Sequence, residues 1–146
     1  MKTDAGHSAK QSAFDYLDRN ADQIACLSDN LFYFGEPGLQ EYESARLMCT
    51  LLEDAGFNVE TGISGFETAF LATYGKGTPV IALHAEYDGL PDNSQKPGVM
   101  EKQAITEGAP GHCEGHNVNA AVMISSALAL KHAMHKEALS GTLTLF

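Results

Sequence analysis

Val80-Ile81-Ala82-Leu83-His84-Ala85-Glu86-Tyr87-Asp88-Gly89-Leu90 begins with consecutive apolar residues and turns acidic at Glu86 and Asp88. The apolar run Val80–Leu83 predicts a central β-strand covered on both faces. His84 to Leu90 is expected to leave the sheet. In open α/β sheets, ligand-site residues collect just past the C-terminal ends of strands. The segment therefore marks both a core element and a candidate site.

Upstream, Phe14, Leu17, Ala21, Ile24 and Leu31 follow helical spacing with charged residues between them. This predicts one amphipathic helix from Gln11 to the breaker Gly35-Glu36-Pro37-Gly38. Residues 1–10 are polar and read as a flexible tail, with 11–146 as the folded part. A second helix is predicted from Gln40 to Ala55, with Tyr42, Ala45, Cys49 and Leu52 as its stripe and Gly56 as its terminator. Phe57 and Val59 alternate with Asn58 and Glu60, suggesting a short strand, and Thr68–Tyr74 suggests another.

Downstream, Pro91–Gly111 is rich in turn formers, and an irregular loop of that length is more often functional than accidental. Asn117–Lys136 is apolar nearly all round until Lys131, which predicts a buried helix that Asn117 could cap. Thr142–Phe146 reads as a last strand after Gly141. Helices alternating with strands give an α/β fold.

With 146 residues, 44% of them hydrophobic, the chain can bury one core. The net charge of −10, with only nine Lys and Arg, argues against nucleic-acid binding. No apolar run is long enough to span a membrane, and the polar start lacks a signal-peptide core. The three cysteines, Cys26, Cys49 and Cys113, have no framework spacing. They read as reduced thiols, so a cytoplasmic location is the expectation.

The second candidate segment is Gly111-His112-Cys113-Glu114-Gly115-His116-Asn117. It crowds imidazole, thiol and carboxylate groups at the start of the last helix, and all three bind divalent metals. His116 is the strongest candidate ligand; its bland alternative is an imidazole hydrogen-bonded at a helix N-terminus. Glu114 can bind or bridge metals, or be an acid favoured by the helix dipole. Cys113 is a soft ligand or an unreactive thiol. His112 reads better as a loop imidazole than as a ligand. Asp88 could orient a ligating His or a bound water from outside the metal's own ligand shell. Glu86 and His84 are weaker candidates, and His132 and His135 are placed to suit a helix C-terminus. Phosphate-loop, dinucleotide, serine-elbow, His-Glu-x-x-His and paired Cys-x-x-Cys patterns are absent from the sequence.

In order, these segments resemble those of metal-dependent amidohydrolases of the aminoacylase/carboxypeptidase superfamily of metallopeptidases. Ile81–Pro91 resembles "IALxAExDALP", and Gly111–Asn117 resembles "GHxCGHN". Glu36–Glu41 resembles "PELGxxE", and Ala55–Val59 resembles "xGFxV". Asn117 and the long Pro91–Gly111 segment look closest to members of the p-aminobenzoyl-glutamate hydrolase type. The resemblance implies part of a three-layer α/β/α zinc-peptidase-like domain with a mixed sheet. It also implies hydrolysis of amide bonds in N-acyl amino acids or small peptides, with one or two Zn or Mn ions. His116 would ligate metal and Asp88 would stand behind it. The family's cysteine ligand falls at Glu114, with Cys113 displaced by one residue. Replacement by Glu114, a local shift that lets Cys113 bind, and loss of the site all stay open.

The family pattern continues past the last strand with a glutamate pair that includes the general base, further histidines and a second domain. The expectation is therefore an N-terminal portion of the catalytic domain, inactive alone. Its exposed sheet surface would favour self-association into a homo-oligomer. The rival expectation is a non-catalytic α/β interaction module or degenerate relative without metal.

Overall fold

A computed structural model describes residues 2–146, with side chains described from residue 7. Helices α1 (Lys2–Arg19), α2 (Ala21–Phe34) and α3 (Tyr42–Asp54) come first. Strands β1 (Asn58–Thr61), β2 (Phe70–Lys76) and β3 (Val80–Leu83) follow, then helix α4 (His116–Lys136) and strand β4 (Gly141–Leu145). This is the expected α/β fold.

The first predicted helix is two helices, and it starts earlier than the periodicity indicates. α1 begins at Lys2, within the expected tail; Met1 lies outside the described residues. The break falls at Asn20, whose side-chain Nδ2 donates to the Tyr16 carbonyl at 2.6 Å. A short amide side chain that bonds the preceding turn competes with helix propagation. α2 ends at Gly35, which takes the left-handed conformation (φ 49°) and donates its N–H to the Leu31 carbonyl. α3 starts under the Glu36 carboxylate, which accepts from the Glu43 and Ser44 amides and from the Ser44 hydroxyl at 2.7–2.9 Å. As predicted, Gly56 follows its end, at φ 81°. Of the predicted stripe, Ala45, Cys49 and Leu52 are buried and Tyr42 is exposed.

The sheet is mixed, with strand order β1-β2-β4-β3. β1 and β2 are antiparallel, β2 and β4 are antiparallel, and β3 runs parallel to β4 with Ile81 opposite Leu143. Along β4, Leu143 and Leu145 are buried while Thr142 and Thr144 are only partly covered, the period-two pattern of a strand with one packed face. That face meets α3 and α4 in one core, where Leu31, Met48, Leu52 and Ile124 are fully enclosed with Leu143 and Leu145.

One prediction needs correction. Val80–Leu83 is an edge strand, not a central one, with Val80 63% exposed. An apolar run records that a strand is hydrophobic on both faces; it carries no information about its position in the sheet. α4 corrects a second point. Its N-cap is Gly115 (φ 92°), so Asn117 is inside it rather than capping it. The Asn117 amide instead donates to the Ser28 hydroxyl on α2 at 3.1 Å.

Candidate metal centre

Three loop segments are laced together beyond the end of β3. The β3–β4 ladder continues through the Phe146 amide to the Leu83 carbonyl at 3.1 Å and the Ala85 amide to the Phe146 carbonyl at 2.9 Å. The Tyr87 hydroxyl then donates to the Thr68 carbonyl at 2.6 Å, and burial first among its causes raises its pKa. The Gly89 amide donates to the Glu36 carbonyl at 2.6 Å. Leu90 and Gly111 exchange a pair of backbone hydrogen bonds, each 3.0 Å. Gly111 has no room for a side chain, because a Cβ there would lie 2.3 Å from the Asn93 carbonyl oxygen. These ties bring the acidic segment after β3 against the first turn of α4.

At that junction His116 meets three carboxylates. Its Nδ1 donates to Asp88 Oδ1 at 2.8 Å. A carboxylate can only accept, so the neutral imidazole carries its proton on Nδ1 and its lone pair on Nε2. Nε2 faces Glu114 Oε2 at 3.4 Å and Glu86 Oε2 at 3.6 Å. The ring is largely covered, whereas Glu86 and Glu114 are more than half exposed. Burial opposes a charge on His116, but the Asp88 hydrogen bond and the charges of Asp88, Glu86 and Glu114 outweigh it and raise its pKa.

The other candidates are arranged differently. Cys113 is an exposed free thiol. His112 turns toward α2, where its Nε2 donates to the Leu31 carbonyl at 3.0 Å; its buried Nδ1 has no partner among the described residues. Burial first, and then neighbouring His116, lower the pKa of His112. His84 stacks against Phe146 at 5.3 Å and His132 against Tyr16 at 5.3 Å. Glu86, ranked low in the sequence, is brought to His116. A signal for it existed: in an extended segment, positions 86 and 88 point the same way. The pair reaches the two nitrogens of one ring.

The chemistry suits a divalent cation in part. A nitrogen with an oriented lone pair and nearby carboxylates form a donor set of the nitrogen–oxygen type used by Zn²⁺ or Mn²⁺. Asp88 supplies the carboxylate support that ligating imidazoles usually have. Among the described residues, however, no group of three or more His, Cys, Asp or Glu side chains is arranged to hold a metal ion by itself.

No family model matches the chain. Over 132 residues, 90% of its length, it is 31% identical to one of the subunits of the p-aminobenzoyl-glutamate hydrolase of Escherichia coli strain K12, and it spans 27% of that protein. Its fold matches a structure assigned as an aminohydrolase of methicillin-resistant Staphylococcus aureus, with TM-score 0.74 and 22% identity over 92% of this chain and 33% of that one. It also matches a Bacillus subtilis dinuclear metal binding peptidase from the M20 family, with TM-score 0.66 and 21% identity over 85% of this chain and 33% of that one. The sequence match bears out the likeness to p-aminobenzoyl-glutamate hydrolase carried by the motifs, over 27% of that relative's length, and the chain shares the fold of these two solved structures.

Proposed function

We propose that this chain forms one side of a metal-dependent site that hydrolyses amide bonds in N-acyl amino acids or small peptides. The observation that carries this reading is His116 held by Asp88 through Nδ1, with Nε2 directed at carboxylates. In it, His116 Nε2 and Glu114 hold a Zn²⁺ or Mn²⁺ ion, one of one or two in the complete enzyme, and Asp88 orients the imidazole. A cation bound there lowers the pKa of water and stabilises charge developing on the substrate carbonyl. The oxygen donor of Glu114 in a cysteine position favours a nitrogen–oxygen site over a thiolate one, with Cys113 as the alternative ligand.

In this reading residues 11–146 are the N-terminal portion of a catalytic domain. The family resemblance puts the general base in a glutamate pair outside the matched motifs, and in this reading hydrolysis needs that pair as well as the residues named here. Residues exposed along the β3 edge favour a homo-oligomer. No helix among the described residues is long and apolar enough to cross a membrane, and the reduced-thiol reading favours the cytoplasm.

Titration of the purified chain with Zn²⁺ and with Mn²⁺ tests the reading. Saturable binding that His116→Ala abolishes supports it; binding indifferent to that substitution sinks it. The lack of a self-sufficient three-residue metal group among the described residues favours a second reading, a non-catalytic α/β interaction module. That module would bind neither ion.

A further inference from the structure

An apolar cleft of about 430 Å³ opens between α1, the last turns of α4 and the starts of β3 and β4. Ala13 and Phe14 of α1, Met134 of α4, and Ile81, Leu139 and Leu143 line it. The strand starts beside it are tied down. The Thr142 amide donates to the Pro79 carbonyl at 2.8 Å, and the Thr142 hydroxyl donates to the Gly77 carbonyl at 2.9 Å. Phe14, Ile81 and Leu139 are each more than two-fifths exposed, so large apolar side chains meet water inside a concave surface. The volume suits a small molecule, and covering such surface is favourable.

The charge around the cleft narrows the class of molecule. Lys10 is the one charged residue that lines it among the described residues, and its Nζ stands 5.5 Å from the centre of the Phe14 ring. The chain as a whole carries 19 acidic and nine basic residues. An apolar cleft with one cation and no carboxylate, in so acidic a chain, complements a single alkyl chain that ends in an anion. The net charge of −10 sets the molecule against an anionic membrane surface, which favours a free ligand over a lipid headgroup. The cleft is also separate from the metal centre: Met134 lies 18 residues along α4 from His116, about 27 Å at 1.5 Å per residue.

We propose that this cleft binds a medium-chain fatty acid, with the alkyl chain against Phe14, Ile81 and Leu139 and the carboxylate at Lys10. The binding uses none of the residues at His116.

Isothermal titration calorimetry of the 146-residue chain with decanoate tests this. One decanoate should bind per chain, and affinity should rise up to about fourfold per methylene from octanoate to decanoate. Lys10 is exposed, and Lys10→Glu should weaken decanoate binding by roughly three- to tenfold while leaving decan-1-ol binding unchanged. Ala13→Phe fills the cleft and should abolish binding of both, with far-UV circular dichroism as the folding control. No saturable decanoate binding by the wild type, or binding indifferent to both substitutions, would overturn the proposal. Retention on phosphatidylglycerol vesicles without one-to-one decanoate binding would overturn it in favour of a lipid surface. A light-scattering mass that Ala13→Phe shifts toward the monomer, with no decanoate bound by the wild type, would overturn it in favour of a second copy of this chain.

Discussion

Asp88 and His116 meet at 2.8 Å through Nδ1, joining the loop after β3 to the first residue of α4. The bond fixes the tautomer and the rotation of the ring together. Asp88→Asn could keep a hydrogen bond of similar length but would lose the charge and could present a donor to Nδ1, favouring the wrong tautomer. We expect Asp88→Asn to weaken Zn²⁺ binding by about 10–100-fold, the usual cost of losing a carboxylate behind a ligating imidazole. Dye competition measures this. Unaltered affinity would mean that the contact is structural only.

The same contact sets a pH dependence. His116 has a raised pKa, because the Asp88 bond and three carboxylate charges outweigh burial. In the metal-free chain, protonated His116 therefore stabilises the fold below its unfolded pKa, and that contribution is lost as pH rises through the higher folded pKa. His112 is lowered, first by burial, and acts in the opposite sense: it costs stability as pH falls through its unfolded pKa toward its lower folded one. Separate His116→Gln and His112→Gln variants should bend the urea-midpoint profile in opposite directions between about pH 5 and 8. NMR titration of the His116 ring should give a midpoint above the ordinary histidine value of 6.5. A midpoint at or below that value would contradict the carboxylate cage.

Gly111 carries a prediction about the scaffold. Its missing side chain leaves space for the Asn93 carbonyl and the Ser94 Cα, which are backbone atoms with no rotamer to yield. Gly111→Ala should destabilise the chain by about 3 kcal/mol or more, as overpacking against fixed atoms does. It should also loosen the Leu90–Gly111 hydrogen bonds that bring the two acidic segments together. The denaturation midpoint checks the first effect and Zn²⁺ affinity the second. Gly111 is not among the positive-φ glycines, so the cost read is steric rather than one of backbone strain.

What was legible in the sequence were features written in local spacing. The stripe of Ala45, Cys49 and Leu52, the stop at Gly56 and the start of the last strand at Gly141 each depend on neighbours a turn or less away. His116 and Asp88, which the structure brings together, stood out in the sequence because their residue types suit a strand end and a helix start. What escaped depends on distant partners. Glu86 became relevant only when its side chain met His116, and the edge position of Val80–Leu83 depends on which strands pair with it. The break at Asn20 was legible in principle, but an apolar stripe running through it outweighed one polar residue. His112 shows the limit of residue type as evidence. It lies beside the candidate ligands in sequence and points to the end of α2 in space.

The exposed β3 edge makes self-association testable. Val80 and Ile81 are 63% and 43% exposed, and among the described residues the strand pairs only with β4. An apolar edge with free backbone groups is a template for another strand. Val80→Lys places a charge there opposite Thr142, on the face of the sheet away from Leu143 and Leu145. If the wild type self-associates, as proposed, the variant should shift light-scattering mass toward the monomer at equal concentration. A wild type that is already a monodisperse monomer would remove the edge as an association surface.

Glu36 links the fold to the site from the other side. Its carboxylate covers the first turn of α3 through the Glu43 and Ser44 amides and the Ser44 hydroxyl, while its backbone carbonyl holds Gly89 one residue after Asp88. Glu36→Ala removes the side-chain contacts and leaves the backbone one. It should cost about 1–2 kcal/mol of stability, the usual effect of losing a helix cap. Because the Gly89 contact survives, Zn²⁺ affinity of the folded fraction should change far less than in Asp88→Asn. Glu36→Gln retains acceptor capacity on one oxygen and should fall between wild type and Glu36→Ala in denaturation midpoint. If Glu36→Ala instead abolished metal binding while leaving the midpoint intact, the carboxylate would have to act on the site directly, and its role as the cap of α3 would be wrong.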